Sequence, residues 1–170
     1  MRRILGIDPG SRVTGWGVIE SDGIKSRHVA SGCIRAQGDD FPARLGVIYE
    51  GLIKVISLHR PVETAIEEVF FARNAASALK LGQARGAAIC ALVSHGLPVR
   101  EYTPRLVKQA IVGTGGADKE QVQHMVKLML KLAGEELAAD QADALAVALS
   151  HAHTEATLGH LARASTGWRR

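Results

Sequence analysis

The first 36 positions carry three short apolar or alternating runs, and most of the remaining chain has apolar residues at helical spacing. Arg3–Asp8 is a run closed by an acid and followed by the turn signal Pro9-Gly10-Ser11. Thr14–Glu20 (TGWGVIE) and Arg27–Ala36 (RHVASGCIRA) are rich in strand formers, and Ser21-Asp22-Gly23 between them marks a hairpin. These three runs predict an antiparallel meander. Asp39-Asp40-Phe41-Pro42 then opens a helix, because proline is tolerated in a first turn and Leu45, Ile48, Leu52, Val55 and Ile56 recur on one face.

Pro61 ends that helix, and Glu63–Val69 (ETAIEEV) predicts a compact strand. Asn74 is placed to cap a helix over Ala75–His95 that stops at Gly96, and Leu97–Tyr102 predicts a fifth strand. Helices follow over Pro104–Val112 and Asp118–Leu132, separated by Gly113-Thr114-Gly115-Gly116. A last helix spans Asp140–Ala152, after a break around Gly134. The order β-β-β-α-β-α-β-α-α-α predicts a single α/β domain with a mixed sheet, over residues 1–158. Residues 159–170 lack periodicity and are expected to form a flexible C-terminal tail.

Length and composition support this picture. A chain of 170 residues, 46% hydrophobic and 22% charged, can bury one core without staples. Cys33 and Cys90 lie far apart without a CxxC partner, which excludes a disulfide framework and a cysteine-based zinc site. His151 and His153 stand two residues apart on a helix and point in different directions, so with His160 they predict no metal site. No apolar stretch is long enough to span a bilayer. The opening MRRILGID reaches an acid too soon for a secretory leader, so a cytoplasmic protein is expected.

Charge is distributed unevenly. Val69–Gly134 carries nine Lys/Arg against three acids, a local +6 in a chain whose total is +4. A basic middle with acidic elements elsewhere suits a polyanionic partner. The acids are the sharper signal. Asp8 and Glu67 close apolar runs at the tips of two strands, and Asp140 and Asp143 share one face of a helix otherwise almost wholly Ala, Leu and Val. If the first and fourth strands are neighbours, their tips converge where open α/β sheets place their sites. Four converging carboxylates repel one another unless a counter-charge is present. All-oxygen ligands suit Mg²⁺ or Mn²⁺, and two such ions can clamp an in-line phosphoryl displacement. The residues alone therefore favour a metal-dependent nuclease over an acid-rich structural surface. The turn Gly6-Ile7-Asp8-Pro9-Gly10-Ser11 also suits the phosphate loops of sugar kinases and actin-like ATPases, but no second copy of the unit is present.

From about Arg3 to His153 the chain resembles the RuvC-type Holliday-junction resolvases of bacteria. The likeness rests on LGIDPGSRVTGWGVI (5–19), AIEEVFFARNAASALKLGQARG (65–86), EYTPRLVKQAIVG (101–113), DKEQVQHMVK (118–127) and DQADALAVA (140–148). It implies an RNase H-like fold with a five-stranded mixed sheet flanked by helices. It also implies a homodimer that cuts four-way DNA junctions symmetrically, leaving ligatable 5′-phosphate and 3′-hydroxyl ends, in recombination and repair. The matched positions assign the catalytic, metal-binding acids to Asp8, Glu67, Asp140 and Asp143, holding two Mg²⁺ per subunit with Mn²⁺ as a substitute. Some similar proteins carry His at the last of these positions.

The resemblance also gives Lys108 and Lys119 supporting roles near the scissile phosphate. It favours Phe70 for stacking on unpaired bases, with Phe71 beside it, and backbone contacts at Arg73, Asn74, Lys80, Gln83 and Arg85. It implies work with a branch-migration complex of RuvA and RuvB. Two rival readings remain at this point. One is a non-catalytic junction-binding module, although all four acids are present. The other is an RNase H-like nuclease acting on structured RNA, as in the shorter YqgF-type proteins.

Overall fold

A computed structural model describes the backbone of residues 1–68 and 74–166, with side chains up to residue 159. The meander is present as β1 (Arg2–Asp8), β2 (Val13–Ser21) and β3 (Ser26–Arg35). Its hairpin turn is closed by Asp22, whose carboxylate accepts hydrogen bonds from the Ile24 and Lys25 amides. The chain continues through α1 (Phe41–His59), β4 (Glu63–Glu67), α2 (Ala75–Val93), β5 (Val99–Tyr102), α3 (Pro104–Val112), α4 (Lys119–Met129) and α5 (Ala139–Thr166). The sheet order is β3-β2-β1-β4-β5. β1 pairs antiparallel with β2 and parallel with β4, which in turn runs parallel to β5. The expected mixed sheet and element order are both found.

Helices cover both faces of the sheet and make two cores. On one side Leu5, Ile7, Val18 and Ile66 pack against α1 and α2 through Ile48, Leu52, Ala88 and Leu92. On the other, Ile4, Ile19 and Ala65 pack against α3, α4 and α5 through Val107, Val126, Leu145 and Leu149. The apolar runs in β1 and β4 are buried on both faces, as central strands with a parallel partner should be. Local caps set the helix starts. Asn74 accepts from the Ser77 amide at α2, Thr103 from the Leu106 amide at α3, and Asp118 with Gln121 closes a capping box at α4.

Helix α5 departs from the sequence expectation. It extends to Thr166 rather than ending at Ala152, so the helical backbone crosses the expected domain boundary at 158–159. It lies against the sheet because glycines remove side chains beneath it. A Cβ on Gly6 would stand 2.2 Å from the Ala144 carbonyl oxygen, and one on Gly15 only 1.9 Å from that of Asp140. Further along, a buried polar chain ties α5 to three strands. His151 Nδ1 lies 2.8 Å from the Tyr102 hydroxyl, its Nε2 3.0 Å from Glu63, and Glu63 accepts from Arg2 at 2.8 Å. Burial holds the His151 imidazole below the usual histidine range. No described helix is long and apolar enough to cross a membrane.

Candidate active site

The β1–β4 pairing aligns Ile7 with Ile66, so the next residues on each strand, Asp8 and Glu67, end side by side at one edge of the sheet. On the other side of Asp8 stands Gly15, which faces Cys33 on β3. The absent side chain of Gly15 lets the first turn of α5 settle over this corner, carrying Asp140 and Asp143. Lys119, the first residue of α4, places its ammonium 2.7 Å from Asp143 Oδ2. Beside them a cleft of about 190 Å³ is lined by Glu67, Lys108, Lys119 and Asp143, with Pro104, Val107, Val122 and Ala146 forming its apolar walls.

The electrostatics register this convergence. Burial, followed by the charges of Glu67, Asp143 and Asp140, pushes the Asp8 carboxyl up to about 8, against a smaller opposing pull from Lys119. Burial and then Asp143 push Glu67 up to about 7, with Lys119 and Lys108 acting the other way. The hydrogen bond from Lys119 to Asp143 raises the lysine in turn. Asp8 and Glu67 are shifted because the fold buries them and brings like charges together, and Lys119 because it pairs with one of those acids, a pattern concentrated at functional sites. The donors are all carboxylate oxygens, the chemistry that hard divalent cations select. Among the described residues the acids feel one another's charge without closing into a ligand cage.

The other sequence-predicted positions are spread more widely. Phe70, Phe71 and Arg73 lie outside the described residues. Asn74 caps α2, where Lys80 and Gln83 are exposed; the Lys80 ammonium lies 5.8 Å from the Phe41 ring centroid. Arg85 turns inward, donating to the Glu67 carbonyl at 3.3 Å and pairing with Glu101, so it braces the strand tip that presents the acid.

Several supporting residues escaped the sequence reading. Arg44, nearly buried on α1, donates to the Ser11 carbonyl and stacks 5.1 Å over Phe41, fixing the loop after Asp8. Thr14, fully buried, donates to the Gly10 carbonyl in the same loop. An arginine beside the apolar stripe of α1 was the available signal for Arg44. Cys33 is close enough to Asp140 that burial and then this carboxylate push its thiol up.

Comparisons with known proteins agree with the geometry. The family model described as "Crossover junction endodeoxyribonuclease RuvC" matches residues 4–151. The RuvC of Vibrio vulnificus is 58% identical over 170 residues, spanning 100% of this chain and 98% of its own. That of Methylococcus capsulatus is 58% identical over 163 residues, 96% of this chain and 98% of its own. Among solved structures, T. thermophilus RuvC in complex with Holliday junction substrate superposes with a TM-score of 0.86 at 37% identity, covering 91% of this chain and 95% of that one. The yeast mitochondrial Holliday junction resolvase Ydc2, at 14% identity, shares the fold with a TM-score of 0.67 over 94% of this chain and 82% of its own. With four acids at one corner of this sheet and relatives matching nearly end to end, the chain belongs to the RuvC family of crossover junction endodeoxyribonucleases.

Proposed function

We propose that this protein resolves four-way DNA junctions by hydrolysing phosphodiesters at the corner built by Asp8, Glu67, Asp140 and Asp143. The observation that carries the reading is the meeting of Asp8 and Glu67 on adjacent strand tips beneath the start of α5 with Asp140 and Asp143, where burial and the three other acids all push the Asp8 carboxyl up. A strand tip that only needed solubility would not gather four carboxylates in a half-dry corner. Family membership implies dependence on a divalent cation, and the all-oxygen donor set fits two Mg²⁺, with Mn²⁺ as a substitute. When bound, such ions supply the positive charge that offsets the carboxylates and the charge developing on the phosphate.

The chain's own residues do the rest. Asp8 and Glu67, fixed on adjacent strands, and Asp140 and Asp143, fixed on α5, hold the ions. Lys119 and Lys108, on the walls beside Glu67 and Asp143, attract the scissile phosphate and oppose its charge. Phe70, with Phe71 beside it, stacks on bases at the open centre of the junction. Arg73, Asn74, Lys80, Gln83 and Arg85 serve the strand backbone, Arg85 while bracing Glu67. Two copies related by a twofold axis make paired symmetric nicks, leaving 5′-phosphate and 3′-hydroxyl ends that a ligase can seal. The protein acts in the cytoplasm with a branch-migration complex of RuvA and RuvB.

The test is cleavage of a synthetic mobile four-way junction with Mg²⁺ and with EDTA, beside linear duplex, single-strand and structured RNA controls. Paired, metal-dependent, religatable nicks confined to the DNA junction are expected. Binding without cutting in either Mg²⁺ or Mn²⁺ would instead mark a junction-binding module. Preferential cutting of structured RNA would move the protein to the RNA-directed nucleases.

A further inference from the structure

Next to the acid-lined cleft is a second hollow that the reading above leaves unused. It measures about 520 Å³ and is lined by Pro104, Arg105 and Lys108 of α3 and by Thr114, Gly115 and Gly116 of the following loop. It shares Pro104 and Lys108 with the cleft of Glu67 and Asp143, so the two are contiguous. Among the described residues no acidic side chain lines it. Among the described residues, neither Arg105 nor Lys108 forms a salt bridge. The loop offers donors as well. The Gly116 amide donates to Thr114 Oγ1 at 3.3 Å, whereas the Thr114 and Gly115 amides have no hydrogen-bond acceptor among the described residues.

Loop and arginine are fitted to each other. A Cβ on Gly115 would stand 2.7 Å from Arg105 Cγ and 3.2 Å from its Nε. Only glycine at this point lets the arginine stem lie across the loop. Two cations without acidic partners, a hydroxyl and spare amides form a site for an anion with several oxygens, and a phosphodiester is such a group. The hollow shares the Lys108 wall with the cleft, so one strand can lie against both.

We propose that this hollow holds a phosphodiester of the cut strand directly adjacent to the scissile one, with Arg105 as its main charged contact. The inference rests on the proposed junction-cleaving function and adds the register in which the strand is held. Arg105 is a binding residue here, because it reaches the strand one phosphate away from the bond that breaks.

The test pairs protein variants with uncharged methylphosphonates placed, one at a time, at the two phosphates flanking the scissile position of a four-way junction. In the wild-type protein with Mg²⁺, one of the two substitutions should raise KM about tenfold and leave kcat within about twofold. Arg105→Ala should raise KM on the unmodified junction by a similar factor and lower the salt slope of binding by about one. That same methylphosphonate should then cost the variant nothing more. Gly115→Ala keeps the charge but pushes Arg105 aside, and should behave like Arg105→Ala. Lys54→Ala, on exposed α1 across the sheet, should match wild type in every arm.

Thermal melts of each variant separate lost binding from lost folding, and Arg105→Gln serves if the alanine variant is destabilised. Additive penalties, with each methylphosphonate costing Arg105→Ala as much as wild type, would overturn the inference and leave the junction-cleaving function standing. So would a loss confined to kcat. A wild-type protein that left the unmodified junction intact would overturn both.

Discussion

Asp8 is stable in this fold at a cost that depends on pH. Its carboxyl titrates near 8 when folded and near its ordinary value of 3.8 when unfolded. Between those values the unfolded chain has released a proton that the folded chain keeps, so stability falls as pH rises. The full contribution is present below 3.8 and is gone by about pH 8. Without divalent ions, Asp8→Asn should therefore melt above wild type at about pH 7.5, by the equivalent of about 2–4 kcal/mol, and the two should converge near pH 4. Mg²⁺ should raise the wild-type melting temperature and barely move that of the variant, because only the wild type gains a full ligand set. The same substitution should abolish cleavage and spare junction binding. A wild-type melting temperature that stayed flat from about pH 4 to pH 8 would contradict this account of the corner. Tyr102→Phe tests a different kind of burial. It leaves His151 Nδ1 without its 2.8 Å partner and should cost about 1–2 kcal/mol in a denaturant titration, with kcat unchanged.

Helix α5 is the element on which the corner depends, since it supplies two of the four acids and touches the sheet through missing side chains. Gly6→Ala would drive a methyl group to within 2.2 Å of the Ala144 carbonyl oxygen and 2.6 Å of the Ala148 amide nitrogen. Backbone atoms inside a helix cannot step aside one at a time, so the whole helix must lift. A loss of about 1–3 kcal/mol in stability is expected, together with a fall in kcat that exceeds any change in junction binding. Much of this arrangement was legible in the residues: the strand meander, the cap at Asn74, the start of a helix at Asp118, and the placing of Asp8 and Glu67 at strand tips. Periodicity did not show that β1 lies beside β4, because it records which face of a strand is buried and not which strand is its neighbour. Nor did it show the reach of α5 to Thr166, whose last turns lack the apolar stripe that marks a packed helix. The glycines were visible as letters, but their purpose appears only when the helix lies on them. Arg85 had the charge of a DNA contact, and the fold also gives it a bracing role at Glu67.

At the scale of the whole molecule, each chain contains one complete set of four acids, and a junction presents two equivalent strands to be cut. A single copy of the corner accounts for one nick, so resolution into two duplexes requires a second copy held in a fixed relation to the first. That relation can be tested without knowing the interface. Wild type and Asp8→Asn, differently tagged and refolded together, should yield a mixed dimer with one working corner. On a supercoiled plasmid carrying an extruded cruciform, the wild-type dimer should produce linear product by cutting both strands in one encounter. If, as proposed, both subunits bind the junction and each cuts its own strand, the mixed dimer should produce nicked circles at a comparable first-cut rate. If the mixed dimer instead linearised the plasmid as fast as wild type, one corner would be serving both strands in turn. The symmetry argument would then fail, although the chemistry assigned to each corner would stand.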